Sequence, residues 1–151
     1  MSRVRPALPD EAPTLSALAF ESKAHWGYSA SFMESCRAEL TVDPAACDGT
    51  RVVLAEDDEG VTGFYRIGGT PEEGTLDDLF VAPGRMGRGL GRLLLAHAVR
   101  TARSLGMTSL FIDADPHAVG FYERAGAVHV GEVASGSISG RVLPQLRLTT
   151  G

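Results

Sequence analysis

The stretch D-D-L-F-V-A-P-G-R-M-G-R-G-L-G-R-L-L-L, running from Asp77 to Leu95, decides the fold. Its β-branched and aromatic run (Leu79, Phe80, Val81) stops at Pro83, and three alternating glycines follow (Gly87, Gly89, Gly91). Leu90, Leu93, Leu94 and Ala98 then repeat at spacings of three and four, which predicts a helix. A strand therefore feeds a glycine turn that opens a helix. Glycine allows successive N–H groups to turn toward one point, and the helix start adds unpaired donors and partial positive charge. The combination predicts a cradle for a pyrophosphate.

The turn excludes two common phosphate binders. A P-loop places Lys and then Ser or Thr after its last glycine, whereas Gly91 is followed by Arg92 and Leu93. A dinucleotide fingerprint reads G-x-G-x-x-G, and this turn reads G-x-G-x-G. Arg85, Arg88 and Arg92 supply positive charge beside the turn instead.

Working outward, 151 residues with 44% hydrophobic and 22% charged content predict one globular domain, residues 1–151. A net charge of −5 argues against nucleic acid as a partner, and no run of ~18 apolar residues predicts a membrane span. The start M-S-R-V-R-P lacks a secretory apolar segment, and Cys36 and Cys47 form no metal or disulfide pattern. A cytoplasmic, metal-free protein is the expectation.

Periodicity and turn residues predict a strand over 3–8 and a helix over 11–26 capped by Asp10. A helix capped by Ser29 follows, carrying Phe32, Met33, Cys36 and Leu40. A hairpin over 51–56 and 61–67 comes next, then strands over 75–81 and 109–113 separated by a helix over 88–105. A helix over 116–124 and closing strands over 127–133 and 142–149 complete an α/β (α+β) pattern with a mixed sheet.

V-A-P-G-R-M-G-R-G-L-G-R-L-L-L resembles the acetyl-CoA signature of the GNAT N-acetyltransferases, Gln/Arg-x-x-Gly-x-Gly/Ala after a strand ending in Val-x-Pro. Met86 stands where that family has Gln or Arg. D-P-H-A-V-G-F-Y-E-R-A-G-A, from Asp115 to Ala127, is similar to the family's Asn-x-x-Ala-x-x-Phe-Tyr-x-x-x-Gly-Phe segment, with Asp115 in place of Asn and Ala127 in place of Phe. The resemblance implies a mostly antiparallel central sheet flanked by helices and splayed between its fourth and fifth strands. It also implies acetyl-CoA as cosubstrate, contacted by Leu79, Phe80, Val81, Met86, Gly87, Arg88, Gly89, Leu90, Gly91, Arg92 and Asp115. Homodimers through the closing strands are common among such proteins.

Transfer to an amine requires a neutral nucleophile, so an ammonium with pKa near ~10 must lose a proton to a base. L-D-D-L-F-V (Leu76 to Val81) resembles L-E-D-F-F-V of polyamine acetyltransferases, which implies Asp77 as base. Asp78 is then an ammonium contact or a neighbour that raises the pKa of Asp77. Strand alternation sends the two to opposite faces unless a bulge intervenes. Tyr122 falls on the tyrosine that in many members protonates the departing thiolate; its other reading is a core aromatic beside Phe121. His25, Trp26 and Tyr28, between the first two helices, form a candidate aromatic wall for a substrate ammonium. For Trp26 the competing reading is a staple packing two helices, and His25 is also a candidate base. Arg141, in the hydroxyl-rich loop S-G-S-I-S-G-R, is a candidate carboxylate clamp. His97, His117 and His129 read as structural or solvated. The expected activity is acetyl transfer to a small amine such as a polyamine, amino acid or amino sugar. Acetylation of a protein lysine or N-terminus, and a non-catalytic acyl-CoA sensor, are the alternatives.

Overall fold

The computed structural model describes residues 3–151; Met1 and Ser2, at the start of the expected domain, lie outside the described residues. Seven strands form one sheet: β1 (Arg3–Pro6), β2 (Val52–Asp57), β3 (Gly60–Thr70), β4 (Glu73–Val81), β5 (Ser109–Asp113), β6 (Val128–Ala134) and β7 (Val142–Thr149). Four α-helices flank it: α1 (Ala12–Ala24), α2 (Ala30–Cys36), α3 (Leu90–Ser104) and α4 (Val119–Arg124). The strand order is β1-β2-β3-β4-β5-β7-β6. Every neighbouring pair is antiparallel except β4 and β5. The expected mixed, mostly antiparallel sheet is what the chain builds. No helix is long and apolar enough to cross a membrane among the described residues.

The two sheet faces carry separate cores. Leu54, Phe64 and Phe80 pack with Leu15, Ala19 and Met33 of α1 and α2. Tyr65, Ile67, Leu76 and Leu110 pack with Leu94, Leu95 and Ala98 of α3 and with Tyr122 of α4. Consecutive residues such as Phe64 and Tyr65 thus enter opposite cores, as the two-residue side-chain period of a strand requires. Burying a side chain of this size contributes about 1.5–3 kcal/mol.

Several boundaries differ from the sequence reading for local reasons. Asp10 does not cap α1. Pro9–Glu11 forms a 3₁₀ turn instead, with the Leu8 N–H donating to Glu11 Oε1 at 2.9 Å and Arg5 pairing with the same carboxylate. Ser29 does cap α2, its Oγ accepting from the Phe32 N–H. The helix over 88–105 begins only at Leu90, because Gly87 and Gly89 both have φ of +79° and act as the turn before it. β3 and β4 run further toward their shared turn than 61–67 and 75–81, pairing as far as Thr70 with Glu73.

The extension positions the site. β4 pairs with β5 only through Glu73, Gly74 and Thr75, opposite Ser109, Leu110 and Phe111. From Leu76 to Val81 the β5-facing edge of β4 has no strand partner, while β3 stays paired to β4 along its other side. The sheet therefore splays between its fourth and fifth strands.

Candidate active site

The splay opens a cleft of ≈ 910 Å³, bounded by β4, the glycine turn, the start of α3, β5, α4 and the end of α1. Along one wall, Leu79, Phe80 and Val81 lie on the β4 edge that has no partner on the β5 side, and their side chains alternate between the two cores. Met86, Gly87, Gly89, Leu90, Gly91 and Arg92 line the far end. Arg88 does not line it; it sits exposed between the two left-handed glycines. Gly91 packs closely on α4, and a Cβ there would stand 3.3 Å from the Phe121 ring. Arg85 is tied elsewhere, pairing with Asp57 Oδ2 at 3.0 Å and Glu59 Oε1 at 3.4 Å. The positive charge available to an anion on the cleft wall therefore comes from Arg92 and from Arg124 at the end of α4.

Both candidate aspartates line the same cleft, and a β-bulge is the reason. Arg66 pairs with Asp78 and Ile67 with Leu76, so Asp77 is the extra residue on β4. Asp78 is buried, and Arg66 Nε donates to its Oδ2 at 2.8 Å. Burial pushes the Asp78 carboxyl above its ordinary range despite the attraction of Arg66. Asp77 is more open, its side chain 34% exposed and 3.9 Å from Arg66. A group that must exchange protons with a substrate needs that access.

Tyr122 enters from α4 and is buried on the cleft wall. Burial first, and the nearby Asp78 charge second, push its phenol well above its ordinary value, with no hydrogen bond contributing. The hydroxyl therefore stays protonated at neutral pH.

The third group of candidates meets at Asp115, on the turn before α4. Asp115 Oδ2 accepts from Tyr28 Oη at 2.8 Å and from Lys23 Nζ at 3.1 Å; Oδ1 accepts from the His117 N–H at 2.9 Å. Arg141 donates to Tyr28 Oη at 3.0 Å and lies 3.6 Å from the same carboxylate. Burial works to raise the Asp115 pKa, but these donors outweigh it and hold the carboxyl below its usual range. Tyr28 stacks on Phe32 at 4.2 Å, with Lys23 and Arg141 over the pair. Asp115 lines the cleft with its carboxylate committed to protein partners, and Arg141 and Tyr28 stand behind the wall rather than on it. Trp26 does line the cleft, its ring 4.8 Å from that of His117. His25 stays outside, edge-on to Trp26 at 5.9 Å.

Among the polar residues of the site that escaped the sequence reading are Lys23, Glu39, Arg66, Asp113 and Arg124. Lys23 adjoins the aromatic run, but its partner lies 92 residues away. Arg66 was signalled only by the hairpin register that sets it across from Asp78.

The model of the acetyltransferase (GNAT) family matches residues 17–127. Among curated proteins, no sequence matches this chain significantly. Solved structures do share the fold. A GCN5-related N-acetyltransferase from Rhodopseudomonas palustris has 24% identity and a TM-score of 0.80 over 99% of this chain and 96% of its own. PaiA N-acetyltransferase from Thermoplasma acidophilum, in complex with coenzyme A, has 17% identity and a TM-score of 0.77 over 99% of each chain. YncA from Salmonella typhimurium, solved with acetyl-CoA, has 17% identity and a TM-score of 0.71 over 100% of this chain and 95% of its own.

Proposed function

Because the chain belongs to the GNAT acetyltransferase family, we propose that it moves the acetyl group of acetyl-CoA onto a primary amine of a small molecule by direct attack. The observation that carries this reading is the splay itself. One cleft joins a glycine turn at a helix start, an unpaired strand edge and two titratable groups suited to opposite proton transfers.

The residues present fit acetyl-CoA. Gly87 and Gly89 are left-handed with open space where a Cβ would be, so their backbone can approach a pyrophosphate closely. The unpaired edge from Leu76 to Val81 offers backbone donors and acceptors to an amide-bearing arm. Bound there, acetyl-CoA supplies an activated thioester. The protein's part is proton management and positioning. Asp77, open to the cleft, accepts the ammonium proton of the acceptor directly or through water. Asp78 and Arg66 fix the bulge that aims Asp77. Tyr122, held neutral, donates to the departing sulfur. Trp26 and His117 form the cleft's aromatic lip.

The test is acetyl-CoA turnover followed by free-thiol release over a panel of primary amines, with wild type beside Asp77→Asn and Tyr122→Phe. Turnover of small amines that falls in both variants supports the reading. Acetyl-CoA that neither binds nor turns over with any amine removes it.

A further inference from the structure

Every N–H from Gly87 to Arg92 is without a protein acceptor among the described residues. These donors span the glycine turn and the first turn of α3, and they serve an anion only when the turn holds them in one arrangement. The turn does little of this by itself. Gly84, Gly87 and Gly89 have nothing within 4 Å of the place a Cβ would take, and glycine loses the most freedom when ordered. One side chain ties the stretch down. Arg85, at the end of the 3₁₀ turn Pro83–Arg85, makes the only side-chain ion pairs or hydrogen bonds of residues 82–92 among the described residues. Its Nη2 stands 3.0 Å from Asp57 Oδ2 at the tip of the β2–β3 hairpin. Asp57 Oδ1 accepts from the Glu59 N–H at 2.8 Å, so both oxygens are engaged and the anchor is itself fixed. Glu59, 3.4 Å from Arg85 but 80% exposed, adds only a screened contact. The same hairpin holds the other end of the turn, the Thr62 carbonyl accepting from the Ala82 N–H at 2.8 Å. Thr62 is the extra residue of a bulge, since Val61 pairs with Glu56 and Gly63 with Ala55.

We infer that Asp57 is a positioning residue for the cofactor: through Arg85 it presets the glycine turn that receives the pyrophosphate. This rests on the acetyl-CoA reading above. Arg85 then serves the site by holding the turn rather than by touching the ligand. Charge and order make opposite demands at this point. Asp57 sets a negative charge beside an anion site, so on charge alone its removal would tighten acetyl-CoA binding. Order works the other way, because a released turn must be immobilised again at each binding event, an effect of about tenfold in affinity. The Asp57 charge is already matched by Arg85 at 3.0 Å, which leaves the anion little net repulsion to feel. Order is the larger effect.

Asp57→Asn is the test, because Asn keeps an acceptor for the Glu59 N–H and removes only the charge that holds Arg85. In thiol-release kinetics at saturating amine, KM for acetyl-CoA should rise about tenfold, with kcat and the amine KM within about twofold of wild type. Calorimetry should show the same factor in Kd for CoA, a readout that needs no acceptor. Arg85→Gln should match Asp57→Asn, and the double variant should be no worse than either, since all three lack one and the same contact. Glu59→Gln should stay within about twofold. Acetyl-CoA that binds Asp57→Asn as well as wild type or better, additive losses in the double variant, or a kcat that falls along with affinity each overturn the positioning role. Wild type that binds CoA yet releases no thiol with any amine overturns acetyl transfer alone, and wild type that binds no CoA overturns both.

Discussion

The place that a Cβ would occupy at Gly68 is held by Asp77 Oδ2, with Thr75 Oγ1 2.8 Å from the same point. The glycine on β3 is therefore the floor under the proposed base on β4. Gly68→Ala should displace the Asp77 carboxylate without touching any ligand. A displacement near 1 Å costs about 10²-fold in rate, while turning one side chain off its rotamer costs about 1 kcal/mol. Steady-state kinetics should thus show a large fall in kcat, and thermal unfolding a shift of only about 2–4 °C.

Asp77→Asn and Asp78→Asn should part company. The first removes an accessible proton acceptor, lowering kcat by about 10²-fold or more with stability nearly unchanged. The second leaves Arg66 without the partner that sits 2.8 Å away, costing about 1–3 kcal/mol in urea unfolding. Equal stability losses in the two variants would contradict the assigned division of labour.

Tyr122→Phe should lower kcat by about tenfold at neutral pH, with acetyl-CoA affinity retained. A thiol with pKa near ~8.5 needs less help to leave as pH rises, so the gap to wild type should close above about pH 9. A pH–rate profile for both proteins reads this directly. A gap independent of pH would make Tyr122 a packing residue.

Asp115 sets an acid limit on stability. Its folded carboxyl lies below the ordinary value, so it binds fewer protons than the unfolded chain does near pH 4. The stability it contributes is present above about pH 4 and is lost as pH falls through the depressed folded value. Asp115→Asn should cost about 1–3 kcal/mol at pH 7, where Lys23 and Arg141 lose their counter-charge, and progressively less on acidification. Denaturant titrations of both proteins between pH 2 and 7, roughly the span these carboxyls cover, check the sign.

The fold was legible where its determinants are local. Gly87 and Gly89 mark the turn into α3, Ser29 marks the start of α2, and β5 and β7 follow their apolar runs. What could not be read depends on contacts between distant residues. Strand alternation alone separates Asp77 from Asp78; the bulge that reunites them belongs to the pairing of β4 with β3. Asp10 lost the expected cap because Glu11 also has Arg5 to bind. Asp115 matched a motif position, yet its environment is written at residues 23, 28 and 141.

That same cluster has a bearing on how the molecule is made. Lys23 meets Asp115 across 92 residues and Tyr28 meets Arg141 across 113, so nearly the whole chain must exist before the knot can be tied. Contacts of such sequence separation carry the largest closure entropy and form late. On a growing chain, Lys23 and Tyr28 would wait unpaired until Asp115 arrives, and Arg141 would join them only with the final hairpin. Completion of the cleft is then a sign that synthesis has passed the final hairpin, and a chain stopped before it would carry the first five strands of the sheet without Leu143 and Gln145 on the cleft wall.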